Sequence, residues 1–99
     1  MKRGDYITYA QMHMAIAFVV SQRSKDPHTQ NGAVIVDPNT NYVKSVGYNG
    51  MPIGCSDDVF PWDRVAENPS DTKYPYVVHA EMNCILNATE SVVGCDMYL

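Results

Sequence analysis

The run "GAVIVD", Gly32 to Asp37, constrains this chain most. It is short, apolar and rich in β-branched residues, which is the pattern of a buried strand. A buried strand obliges the rest of the chain to supply elements that cover it. "DPNTN" follows with turn chemistry, and "YVKSVGYNG" gives a second strand ending at Asn49-Gly50. The two strands and their short turn read as a hairpin.

Upstream, Thr8 and Gln11 form a T-x-x-Q capping box, and Ile7 and Met12 are spaced to close a hydrophobic staple around it. Met12, Ala15, Ile16, Val19 and Val20 then follow helical spacing as a buried face. A first helix is expected over about residues 9–22. It stops before "SKDP", where Pro27 drives Asp26 out of helical geometry. From Asn49 to Tyr76 the chain is rich in Gly, Pro, Asp and Asn, a long loop of the kind that usually serves function, with room for a short helical turn in "DVFPWDRVAEN". Val77-Val78 lead into a second helix over about His79–Ala88, and "CDMYL" begins a third strand. The order is helix, two strands, long loop, helix, strand, without internal repeat, as a single domain over residues 1–99. Three strands with two helices are expected to leave one face and one edge poorly covered. The apolar ending "MYL" adds to the expectation that the chain is one piece of a larger core.

Composition narrows the classes. The 99 residues carry 11 acidic and 7 basic side chains, a net charge of −4. No basic stripe marks a binder of nucleic-acid polymers, although a mononucleotide needs only a few local donors. The longest apolar run, Met14 to Val20, is far short of a membrane span, and the N-terminus lacks the apolar core of a secretory signal. Three cysteines, Cys55, Cys84 and Cys95, show no framework spacing. That favours a reducing compartment, the cytosol or nucleus, with the cytoplasm taken as the expectation.

The chemistry is concentrated in "HAE", His79 to Glu81. H-x-E is the first half of a zinc-deaminase signature whose second half is P-C-x-x-C. Zinc lowers the pKa of bound water to about 7, and a catalytic site uses three protein ligands with one position open. A carboxylate that is not bound to the metal moves the protons. Alone, the triplet has bland explanations. His79 could hydrogen-bond a carbonyl at the helix start, and Glu81 could complement the helix dipole. The chain contains no C-x-x-C. Cys84 lies five residues beyond His79, about 140° round a helix, so the two do not share a face. Cys84 and Cys95 are expected to pack as small hydrophobes.

"QRSKDPHTQNGAVIV", "GYNGMPIGCSDD" and "DTKYPYVVHAEMN" together resemble the deoxycytidylate deaminase family. "RSKDP", "GYNGMP", "CSDD", "AEN", "DTKYPYV" and "HAE" stand in family order, and the likeness runs from about Ala10 to Leu99. The resemblance implies an α/β fold, the cytidine-deaminase-like three-layer α/β/α sandwich, of which this chain holds the N-terminal portion. It implies hydrolysis of dCMP to dUMP and ammonia with Zn2+, with His79 as a metal ligand and Glu81 as the proton shuttle. Asn49 is implied to contact the sugar, where the residues alone suggest an Asn-Gly turn. Ala80 is implied to contact the base through its backbone. The two thiolate ligands match nothing here, so little or no activity is expected of these 99 residues alone.

Tyr74 and Tyr76 are candidates to line the pocket or to pack. Arg23 and Lys25 are candidates for phosphate or effector contacts, or simply a solvated helix end. The loop "NGMPIGCSDD" is a candidate for the deoxynucleoside triphosphate regulation found in the family, which also forms homo-oligomers. His13 and His28 are expected at the surface or the edge of the core, and Trp62 as an anchor for the long loop. The alternative reading is a non-catalytic form that associates with full-length deaminase subunits. A deaminase of another pyrimidine or of tRNA fits less well, since the acidic charge does not suit tRNA.

Overall fold

Thr8 and Gln11 set the first helix as their spacing requires. In the computed structural model, which describes residues 1–51, 61–62 and 78–99, the Gln11 amide donates to Thr8 Oγ1 at 3.1 Å and the Thr8 amide to Gln11 Oε1 at 2.8 Å. Helix α1 runs Tyr9–Ser21. It is followed by β1, Gly32–Val36; β2, Val43–Tyr48; α2, Ala80–Asn87; and β3, Asp96–Tyr98. The expected helical turn in "DVFPWDRVAEN" falls largely outside the described residues.

The sheet order is β2-β1-β3, with β1 antiparallel to both neighbours. All five residues of β1 are buried, because its two sides face different layers. Ala33 and Ile35 pack with Ala80 and Cys84 of α2, joined by Val92 and Cys95. Val34 and Val36 pack with Ala17 of α1, joined by Ile16 and Tyr98. Each face therefore carries one helix, while Val46 on β2 and Met97 on β3 stay exposed beside it. Cys84 and Cys95 pack as small hydrophobes, as expected. Among the described residues no helix is long and apolar enough to cross a membrane.

The face that α1 buries also differs from the expected one. His13, Ala17 and Ser21 point inward, while Ala15 and Val19 are exposed. The cause is close approach at Gly32. A Cβ there would run into the Ala17 carbonyl oxygen and lie 2.7 Å from the Ser21 amide nitrogen. Two small residues one turn apart, Ala17 and Ser21, let the helix backbone come so near, and His13 falls on the same side one turn earlier.

His13 is fully buried, not at a core edge. Its ring lies between Tyr9 and Tyr98, with centroids 6.1 Å and 5.0 Å away. Its Nε2 donates to Asn41 Oδ1 at 3.2 Å. Asn41 sits in the hairpin turn at φ 60°, a left-handed conformation that asparagine tolerates better than most residues. One hydrogen bond thus ties α1 to the turn. His28, by contrast, is exposed as expected.

Helix α2 has eight residues, too few to be stable alone. It is held by β2. A Cβ on Gly47 would collide with the Cys84 amide and lie 2.7 Å from the Ala80 carbonyl oxygen. Ser45 Oγ donates to the Cys84 carbonyl at 2.7 Å, satisfying one of the carbonyls that the helix end leaves open. Asn87 Nδ2 donates to the Val46 carbonyl at 3.3 Å.

Two outcomes test this packing. Gly47→Ala should cost about 1–3 kcal/mol in urea unfolding, while Gly4→Ala, with nothing within 4 Å of the new Cβ, should cost little. Burial pushes the Cys84 thiol above its ordinary 9.0, and the Glu90 carboxylate, first as hydrogen-bond partner, raises Lys44 above 10.5. Both groups hold their protons more tightly when folded. Stability should therefore be intact below pH 9.0 and decline as pH rises through the folded values. The onset should move to higher pH in Cys84→Ala, as followed by unfolding curves across pH.

Candidate active site at one end of the sheet

The antiparallel pairing brings the start of β1 and the ends of β2 and β3 to one end of the sheet, since Gly32 pairs with Tyr48 and Val34 with Tyr98. The chain entering α2 is fastened there. Gly50 donates its amide to the Val78 carbonyl at 3.1 Å and receives the Val78 amide at 2.7 Å. His79 follows at once. It is extended, with φ −66° and ψ 155°, and serves as N-cap with its backbone alone. Its ring makes no capping hydrogen bond and is exposed. The next residue, Ala80, is buried at 1% exposure. Glu81 stands exposed in the first turn, where the positive end of the helix dipole favours a carboxylate.

Glu81 borders a cavity of about 420 Å3 that also touches Gln30, Asn31 and Gly32, Ser21 on α1, and Leu99. Met14 and Phe18 add apolar wall. The volume is of the order that small ligands occupy, and apolar walls with a few polar groups are the usual composition. Arg23 and Lys25 are exposed beyond α1 and are not among the described residues of this lining. Tyr74 and Tyr76 lie outside the described residues, as do Cys55 and the rest of the "NGMPIGCSDD" loop after Met51. Trp62 is half-buried, with its ring edge 4.0 Å from the position of a Cβ on Gly50.

Asn49 is buried at this end and works on the neighbouring loop. Its Oδ1 accepts the Asn31 amide at 2.9 Å and its Nδ2 donates to the Thr29 carbonyl at 2.9 Å. Its own carbonyl accepts from Ser24 Oγ at 2.8 Å. Asp26, also buried, holds the other end of that loop by accepting the His28 and Thr29 amides at 2.9 Å and 3.3 Å. Together they place Gln30 and Asn31 opposite Glu81. Sequence reasoning passed over Asp26, Gln30, Asn31 and Asn83. The one available signal was the D-P-x-T turn chemistry that Asp26 begins.

A zinc ion needs more donors than this arrangement offers. Among the described residues no three of His, Cys, Asp and Glu gather in one place. His79 supplies one imidazole. Cys84 is fully buried, with its Sγ 3.6 Å from the Ala33 carbonyl oxygen. The burial that raises its thiol is the reverse of what a thiolate ligand needs. The described residues therefore do not assemble a metal cage.

Two helices on a β2-β1-β3 sheet, with H-x-E opening the second helix at the sheet end, define the deaminase class of α/β sandwich. Residues 7–99 match the cytidine and deoxycytidylate deaminase zinc-binding region. The chain belongs to the cytidine and deoxycytidylate deaminase family. It is 57% identical over 99 residues to the deoxycytidylate deaminase of Homo sapiens, covering 99% of this chain and 55% of that protein. It is 61% identical over 90 residues to a probable deoxycytidylate deaminase of Caenorhabditis elegans, covering 90% of this chain and 44% of that one. The chain thus spans about half the length of the curated relatives it matches. The dCMP deaminase of cyanophage S-TIM5, solved in complex with dCMP and dUMP, aligns with a TM-score of 0.66 at 26% identity, over 88% of this chain and 60% of that one.

Asn49→Ala should remove both side-chain bonds to residues 29–31. The expected loss is about 1–3 kcal/mol in urea unfolding. An unchanged midpoint would show that the loop does not depend on Asn49.

Proposed function

We propose that this chain provides the proton-transfer half of a dCMP deaminase site. The overall reaction is hydrolysis: water adds at C4 of the cytosine ring, ammonia leaves, and dUMP remains. Glu81 takes the proton of the attacking water and delivers protons to the ring and the departing amine, the role a carboxylate in H-x-E plays in such enzymes. His79 holds one zinc position. Ala80 contacts the base through its backbone, and Asn49 contacts the sugar.

The observation that carries this reading is the position of Glu81 on the cavity, two residues beyond an exposed His79. The two deoxycytidylate deaminase relatives and the dCMP-bound structure of the phage enzyme support the choice of substrate. Zinc, when bound, would activate the attacking water, and His79 would be one of its ligands.

Two measurements test the proposal. The purified 99-residue chain should hold well under one zinc and turn over dCMP little or not at all. Zinc-dependent turnover at one metal per chain would contradict this. A chimera in which the remainder of the Homo sapiens protein follows Leu99 should bind zinc and convert dCMP. In it, Glu81→Gln should lower kcat by about 100-fold or more with zinc retained, and His79→Ala should lose the metal. A zinc-loaded chimera that prefers another pyrimidine, or that keeps its rate in Glu81→Gln, would overturn the assignment.

A further inference from the structure

We propose that Asn83 is the positioning residue that sets the two halves of the candidate site, Asn49 and His79–Glu81, at a fixed separation. The inference rests on the functional reading above, which places those residues in one site. Asn83 lies one turn beyond His79 on α2 and is buried at 8% exposure. A primary amide has two hydrogens to donate. Asn83 Nδ2 donates to the Tyr48 carbonyl at 2.8 Å and reaches the Val78 carbonyl at 3.5 Å, a weaker contact. Tyr48 immediately precedes Asn49, and Val78 immediately precedes His79.

One amide group therefore touches the peptide on the approach to each half of the site. The main chain adds to the same joint. The Asn83 amide donates to the His79 carbonyl at 2.9 Å as the first bond of the helix, and the Val78 carbonyl also takes the Gly50 amide. Two other contacts hold α2 farther along its length: Ser45 Oγ on the Cys84 carbonyl, and Asn87 Nδ2 on the Val46 carbonyl. They hold α2 on the sheet but do not join Asn49 to His79. Asn83 does both, and its chemistry is specific. Aspartate has the same shape but, ionised, has no hydrogen to give and would face two carbonyl oxygens. Leucine keeps similar bulk and also gives none.

Amide hydrogen exchange on the isotopically labelled 99-residue chain tests the clamp without nucleotide or metal. In the unsubstituted chain, the Asn83 side-chain hydrogens and the Gly50 and Val78 amides should exchange well below free-peptide rates. Free-peptide rates at these groups would overturn the proposal. In Asn83→Asp and Asn83→Leu, exchange at Gly50 and Val78 should rise by about tenfold or more. The amide signals of Asn49 and His79 should shift, while β1 amides keep their protection. Unchanged exchange at Gly50 and Val78, or an equal loss across the whole sheet, would make Asn83 an ordinary packing residue. If neither variant folds, the exchange of the Asn83 side-chain hydrogens in the unsubstituted chain decides. Titration of dCMP into that chain, followed at Ala80 and Glu81, probes the functional reading separately, so either can fail alone.

Discussion

Helix α2 rests on bare backbone at Gly47, and the geometry of the candidate site follows from that contact. A side chain at this position would have to occupy the space of the Cys84 amide. With none there, an eight-residue helix lies close enough for Ser45, Asn83 and Asn87 to bind across the gap. The helix then begins where β2 ends. That start point brings His79 beside the Gly50–Val78 bridge and sets Glu81 on the cavity. Gly32 does the same for α1 on the opposite face. The sheet is a thin partition between two helices, each admitted by one glycine.

Local signals in the sequence translated well. The capping box, the hairpin and the helix opening at H-x-E depend on residues a few positions apart, and each stands where its spacing put it. The buried face of α1 was harder, because apolar residues occupy every side of that helix from Met12 to Val20. At Ala17 and Ser21 small size, rather than hydropathy, decides the face, and size matters only once Gly32 is known to lie opposite. His13 was misjudged for a related reason. Its partners, Asn41 and Tyr98, are remote in sequence. Asn49 carried two readings, a turn and a sugar contact, and neither included its hold on residues 29–31.

The site is unequal in what it contains. A carboxylate for proton transfer can be supplied by one residue on one helix, and Glu81 is there. A zinc cage requires several donors converging from separate segments, and among the described residues no three such side chains gather. The nearest cysteine on α2 is spent on the core, where burial favours the thiol over the thiolate. Family membership and a partial metal site are therefore consistent with each other. The matched region contains the H-x-E triplet and spans about half of the relatives it aligns with.

The contact at Gly47 can be measured directly. In a nuclear Overhauser spectrum of the labelled chain, the Gly47 α-hydrogens should give strong cross-peaks to the Cys84 amide, with intensity comparable to sequential contacts within β2. Weak or missing cross-peaks between those hydrogens would mean that α2 does not lie on β2 at this glycine, and the placement of His79 and Glu81 at the end of the sheet would lose its basis.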